Sequence, residues 1–304
     1  MALSSRLVAG GVVLTLLGGV GALALRRLDR TRPVTLDQAV DRYRASEPPL
    51  PLPAAPTATA TPTPGARATA APSPGTTATN GPGMTGRTRV PGGAAATSAP
   101  PATAEGPLQP PGVYVYDTTG YETADAGVHA RHDYPARTTV TIRTVPCGTT
   151  VRWDATEDRW DEVTMCADGV ATRVTAYRSY HRFFGQEERR DYTCGGTNWL
   201  RPPSPRAGLR WSFDCTAEGA KAHTDATLTG VETAGATKAW HVHYETTLTG
   251  SNRGTNPQDF WLALDGPYVV RQASRVDADV DTPFGSIRYH EEYDLRLTSR
   301  TPRR

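Results

Sequence analysis

Two hydrophobic patterns of different period mark the two ends of this chain, and a long stretch with neither period lies between them. Residues 7–25, LVAGGVVLTLLGGVGALAL, carry no charge. At about 1.5 Å rise per residue this segment is roughly 28 Å long, close to the ~30 Å hydrocarbon core of a bilayer, and it predicts a single transmembrane helix. Its glycines are compatible with that, because a helix satisfies its backbone polar groups internally. The competing reading is a cleaved signal peptide, since Ala22-Leu23-Ala24 has the small-x-small form of a cleavage site. The apolar run is longer than a signal h-region, which favours a retained signal anchor. Within the juxtamembrane segment 26–47, Leu36, Ala39, Val40 and Tyr43 fall at i, i+3, i+4 and i+7, the spacing of a short amphipathic helix.

From Gly112 to the end the period changes to two. In Ser286 to Ser299, Ile287, Tyr289, Tyr293, Leu295 and Leu297 share one parity, and Arg288, His290, Glu292, Asp294 and Arg296 share the other. Such alternation reads as a strand with one face on a core. Lys238 to Thr249 repeats it, with Trp240, Val242, Tyr244 and Leu248 inward and His241, His243 and Glu245 outward. Thr138 to Val145 and Val269 to Val280 read as further strands, and Asp265-Gly266 and Phe284-Gly285 as hairpin turns. The run TTVRWDATEDRWDEV predicts a hairpin centred between Thr156 and Glu157, which sets Trp153 opposite Trp160 and Cys147 opposite Cys166. A faint echo links ADG, strand, Phe184-Gly185, RRDY with LDG, strand, Phe284-Gly285, HEEYDL, as a duplicated strand–turn–strand unit would. The expected fold is all-β, an antiparallel meander over 112–304 that forms one curved sheet.

Composition then fixes the middle of the chain and the compartment. Residues 48–111 are dominated by Pro, Ala, Thr, Gly and Ser, with too few large apolar side chains to offset the entropy of ordering. They are expected to be a disordered linker, stiffened by proline, that holds the β domain on the order of 100 Å from the bilayer. All four cysteines, Cys147, Cys166, Cys194 and Cys215, lie in the β region, and an even number there points to disulfides in an oxidising compartment. The hairpin register pairs Cys147 with Cys166, leaving Cys194 for Cys215. Arg26, Arg27, Arg30 and Arg32 follow the apolar segment and by the positive-inside rule favour a cytoplasmic C-terminus. The cysteines and the Thr/Pro stretch favour the opposite, and long domains translocate largely regardless of flanking charge. The expected location is therefore the cell membrane, single-pass, with the C-terminal domain extracytoplasmic. A net charge of +2, from 33 basic and 31 acidic residues without a basic stripe, gives no footprint for nucleic acid.

Candidate chemistry is sparse. His241, His243 and Glu245 lie two apart on one strand face, but three ligands along one strand span roughly 13 Å and do not converge on one ion. His290 and Glu292 repeat that spacing. Asp154, Glu157, Asp158, Asp161 and Glu162 cluster at the predicted hairpin tip, where a solvated turn is the plain reading. Tyr177, Tyr180, Phe183 and Phe184 either line a cavity or fill a core. No nucleophile elbow, zinc-protease helix or phosphate-binding loop occurs, so no catalytic, metal or cofactor residue is assigned and the chain reads as a non-enzyme. About 190 residues of meandering strands with the hairpin pattern FWLALDGPYVVRQ loosely resemble the lipoprotein-carrier (LolA-like) half-barrels found outside bacterial inner membranes. The layout also resembles anchored extracytoplasmic proteins of high-GC bacteria. That resemblance implies a half-barrel whose concave face holds a lipid or other apolar ligand. The expected function is a membrane-tethered extracytoplasmic binding module for a lipid, a cell-envelope polymer or an envelope protein. The alternative is an envelope hydrolase with carboxylate and His residues gathered from several strands.

Overall fold

The computed structural model describes residues 31–46, 108–195, 198–282 and 285–304. The expected anchor 7–25, nearly all of the expected linker 48–111, and Phe284 lie outside the described residues. Among the described residues no helix is long and apolar enough to cross a membrane.

The β region forms fourteen strands: β1 (Gly112–Asp125), β2 (His129–Asp133), β3 (Arg137–Val145), β4 (Gly148–Asp154), β5 (Arg159–Asp168), β6 (Ala171–Phe183), β7 (Gln186–Cys194), β8 (Trp199–Arg201), β9 (Leu209–Ala217), β10 (Ala220–Ala234), β11 (Thr237–Gly250), β12 (Asn252–Ala263), β13 (Val269–Thr282) and β14 (Gly285–Leu297). All pairings are antiparallel and most join chain neighbours, the exceptions being β1–β3, β6–β8, β7–β9 and β1–β14. β2 and β3 pair with successive halves of β1, and β8 continues the line of β7 along β6. Fourteen strands thus occupy twelve positions of a closed barrel.

The open curved sheet or half-barrel expected from the pattern is corrected to closure. Ten residue pairs, from Tyr116↔Leu297 to Asp125↔Arg288, join the first strand to the last, which removes the exposed edges an open sheet would present. Gly120 sits in that junction at φ 151°, opposite Tyr293, where a Cβ would lie 2.3 Å from the Glu292 carbonyl oxygen. Only glycine fits that approach. The barrel is held far more loosely between β7 and β9, by the two pairs Thr193↔Thr216 and Cys194↔Cys215. The Cys194–Cys215 disulfide lies on that short junction, and Cys147–Cys166 joins the ends of β4 and β5. Both pairings agree with the sequence reading. With sequence separations of 19 and 21, each bridge stabilises the fold by about 3 kcal/mol through loop closure.

The hairpin register that led to the first bridge is off by one. β4 and β5 pair Gly148↔Cys166, Trp153↔Asp161 and Asp154↔Trp160, so the turn is centred on Glu157. A one-residue slip in register puts Trp153 and Trp160 on opposite faces. Trp153 is buried inside, while Trp160 stacks on Tyr180 outside beneath the Arg152 guanidinium. The cysteines tolerate the slip because Cys147 lies one residue past the paired segment, 4.9 Å from Cys166 between Cα atoms.

The amphipathic segment is a helix, α1 (Leu36–Ser46). Thr35 and Gln38 form a capping box: Thr35 Oγ1 accepts from Gln38 N–H at 3.2 Å and Gln38 Oε1 accepts from Thr35 N–H at 2.8 Å. Its buried face, Ala39, Val40 and Tyr43, packs with Val34 on Val113 of β1. Arg32 O accepts from Glu157 N–H at 2.8 Å, and Arg44 Nη2 donates to Arg304 O at 2.7 Å. The helix is therefore part of the barrel unit. The residues on either side of the Pro/Ala/Thr-rich run therefore belong to one unit.

Because α1 depends on burial of one face, truncating it is predicted to weaken the whole domain. Tyr43→Ala is expected to lower the unfolding free energy of the full chain by about 3 kcal/mol, read by urea denaturation with tryptophan fluorescence. An unchanged midpoint would mean that the helix contributes nothing to the fold.

Candidate functional site

Barrel diameter grows with strand number, and eight strands already give an interior that side chains can just fill. Twelve leave space, and a cavity of about 900 Å³ lies inside this barrel. Val163, Val174, Leu200, Phe260 and Leu262 line one half, and Phe183, Leu248, Val276, Val280 and Ile287 the other. Between them runs a polar belt in which Thr224 and Thr246 hydroxyls meet at 2.8 Å, Ser274 Oγ donates to Asn256 at 2.9 Å, and Gln272 Nε2 donates to Tyr293 Oη at 3.0 Å. Of the aromatic run, Tyr177, Phe183 and Phe184 line the cavity, while Tyr180 takes the outward parity.

The belt is completed by a cluster of buried charges. β1 and β14 set Glu122 directly opposite Glu291, both inward and both at most 1% exposed. Two carboxylates in that relation repel, and neither has water to solvate it. Arg159, the first residue of β5, supplies the counter-charge. Its Nε and Nη2 donate to the two Glu291 oxygens at 2.8 and 2.9 Å in a bidentate fork, and Nη2 also donates to Asp161 at 2.7 Å. Its Nε lies 4.0 Å from Glu122. Arg159 Nη1 is buried without a hydrogen-bond partner among the described residues. Tyr134 donates to Glu291, Tyr177 to Asp161 at 2.7 Å, and Tyr289 to Glu122 at 3.0 Å. His132 and His181 each direct Nδ1 at Glu122, at 3.0 and 3.3 Å, and the His132 ring stacks on Phe183.

Burial alone would push the Glu122 carboxyl up. Hydrogen bonds from His132 and His181 and the charges of His181 and Arg159 outweigh it and hold the group at about 2. Burial beside the acids pushes the hydroxyls of Tyr134, Tyr177 and Tyr289 well above their usual value, so these act as neutral donors.

Sequence reasoning missed this cluster. Asp161, together with Asp154 and Asp158, was expected in a solvated turn, and all three are buried. The β4–β5 turn folds against the barrel: Arg182 pairs with Asp158 at 2.6 Å and Arg152 with Asp154 at 2.9 Å. One signal was present. Glu291 shares the inward parity of Tyr289 and Tyr293, and a charged residue on a buried face marks a partner elsewhere.

His241, His243 and Glu245 do share an outer face, where they serve an ion-pair chain. His241 bridges Glu232 and Asp259 at 2.7 Å each, and His243 reaches the same Asp259 oxygen at 2.8 Å and Glu245 at 3.4 Å. Hydrogen bonds to Asp259 and Glu232 raise the His241 pKa above its usual value, against the effect of burial. His290 instead turns to Asp277 at 2.6 Å, away from Glu292. Among the described residues no group of three or more His, Cys, Asp or Glu side chains is arranged to hold a metal ion.

Two predictions follow from the buried cluster. Arg159→Met leaves Glu291 and Asp161 unpaired and is expected to cost about 3–5 kcal/mol in denaturant unfolding, partly restored by adding Glu291→Gln. Because the folded pKa of Glu122 is depressed, its contribution is present above pH 4.5 and is lost as pH falls towards about 2. Acid unfolding of Glu122→Gln, followed by near-ultraviolet circular dichroism, should accordingly be shallower than that of the parent chain across this window.

Scans against protein-family models, curated proteins and solved structures find no match to this chain. The closed antiparallel all-β barrel is loosely consistent with a LolA-like barrel architecture, and that likeness is one of architecture alone.

Proposed function

We propose that this chain is a membrane-tethered binding module of the cell envelope, and that its barrel holds a lipid or another ligand with a long apolar portion. The observation that carries this reading is the cavity of about 900 Å³, enclosed by twelve strand positions and lined in both halves by aliphatic and aromatic side chains. That volume falls in the range of sites that engulf small-molecule ligands. A polymer or a protein partner would call for an open groove or a broad outer face, and the barrel's main concavity is internal. Two disulfides suit an extracytoplasmic placement.

The tether follows from residues 7–25 and the position of α1. Six residues separate Leu25 from Arg32, whose carbonyl contacts the β4–β5 turn. At about 3.5 Å per residue they reach roughly 25 Å, so an anchored chain keeps its barrel beside the bilayer. A lipid-binding cavity is best served by that proximity.

The hydrolase alternative rests on one pair: His181 lines the cavity with its Nδ1 on the buried, ionised Glu122, as an oriented general base would. Ester hydrolysis by the full chain that His181→Gln abolishes would favour it.

Native mass spectrometry of the full chain extracted from membranes tests the binding reading. The expected spectrum carries an adduct that organic extraction removes, and Ala278→Trp, which fills the cavity without changing charge, is expected to lose it. A bare polypeptide mass in the parent protein would count against a resident ligand.

A further inference from the structure

Three arginines line the cavity: Arg159, Arg190 and Arg201. Arg159 is held by Glu291 and Asp161. Arg190 is held by Glu188 and by the Glu218 carbonyl at 3.1 Å. Arg201 differs from both. Its Nη2 donates only to main-chain oxygens, those of Ala263 at 3.3 Å and Gly266 at 3.0 Å. Among the described residues no carboxylate lies within ion-pair distance of it, and burial alone presses its pKa down with no neighbouring acid opposing the effect. A partly buried cation without an anion is costly, and it marks a place where one is to be supplied.

The place is well defined. Arg201 ends β8, beside β6, and its side chain crosses the interior to the turn between β12 and β13 on the far side. It therefore lies across one end of the barrel, the floor. On the other side of the same turn, Gln109 Oε1 accepts from Val269 N–H at 3.4 Å, while Gln109 Nε2 is buried beside the Tyr114 and Tyr116 hydroxyls without a well-formed hydrogen bond. Gln109 is 7% exposed and also lines the cavity. The floor thus presents the Nε–H and Nη1–H groups of a guanidinium whose Nη2 is held by the main chain, with the Gln109 amide beside the same turn. Leu200, Leu262 and Val174 line the same cavity. At the polar belt, by contrast, the acids outnumber the single arginine, so an anion is repelled there and accepted only at the floor.

We propose that the floor is an anion seat formed by Arg201 and Gln109, and that the ligand is a single-chain carboxylate amphiphile of the fatty-acid class, its carboxylate on Arg201 and its hydrocarbon running towards the other end of the barrel. Arginine suits this role because it keeps its charge when buried, and its Nε and Nη1 each retain a proton to donate while Nη2 is held by the main chain. The assignment rests on the lipid-binding reading above and specifies which lipid chemistry it takes.

The test is displacement of Nile red, an uncharged apolar dye, from the full chain held in amphipol, measured above an amphipol-only blank. Oleate and oleyl alcohol share a chain and differ in the head group. In the parent protein oleate is expected to displace the dye at a concentration at least tenfold lower than oleyl alcohol. In Arg201→Gln the two are expected to become equal, through loss of oleate affinity, while Arg201→Lys retains part of the preference. Equal displacement in the parent protein, or a tenfold preference that survives Arg201→Gln, overturns the assignment. Should Arg201→Gln fail to fold, the ratio in the parent protein decides, and Gln109→Leu is expected to narrow it about threefold. Dye that binds and is displaced equally by both compounds removes only the carboxylate assignment. Dye that does not bind at all removes the cavity reading itself.

Discussion

The barrel depends on one encounter between charges of the same sign. Joining β1 to β14 sets Glu122 against Glu291 inside the wall, with essentially no access to water. Left alone, that pair would oppose closure, because like charges in direct cross-strand register repel and a buried carboxylate forfeits its solvation. Arg159 reverses the sign of the interaction by gripping Glu291 with two hydrogen bonds while lying 4.0 Å from Glu122. Arg159 comes from a third strand, β5. The closure of the two chain ends is thus tied to the placement of a strand in the middle of the β region.

Closure in turn creates the cavity. Twelve strand positions enclose more space than inward side chains fill, and the polar belt narrows that space without eliminating it. The network's tyrosines stay neutral because burial among acids disfavours their ionisation, so they serve as donors that complete the coordination of Glu122, Glu291 and Asp161. The belt's arginine is engaged by acids, although its Nη1 has no hydrogen-bond partner among the described residues, whereas Arg201 meets only main-chain oxygens. Chemical asymmetry along the cavity therefore arises from which cations have been neutralised by the protein and which have not.

The seam between β7 and β9 has the opposite character to that between β1 and β14. Two residue pairs and a disulfide hold it, against ten pairs at the other junction. Covalent linkage substitutes there for a ladder that the break between β7 and β8 interrupts. The α1 helix braces the wall at β1 and β3, and its docking brings the N-terminal segment to the barrel surface.

How much of this could be read from the sequence follows from the range of each interaction. Period-two alternation is local, so the β class and the faces of Tyr289, Tyr293, Val242 and Tyr244 were legible, and so was the helical face of Ala39, Val40 and Tyr43. The cysteine pairs were legible because each joins strands adjacent around the barrel. Hairpin register was legible only to within one residue, since Asp154 to Trp160 admits two centres and only tertiary packing selects Glu157. Ring closure, the docking of α1 and the gathering of Glu122, Arg159 and Glu291 from three strands were decided by tertiary structure alone. Each joins residues far apart in the chain, and no local pattern records the partner that makes a buried charge tolerable.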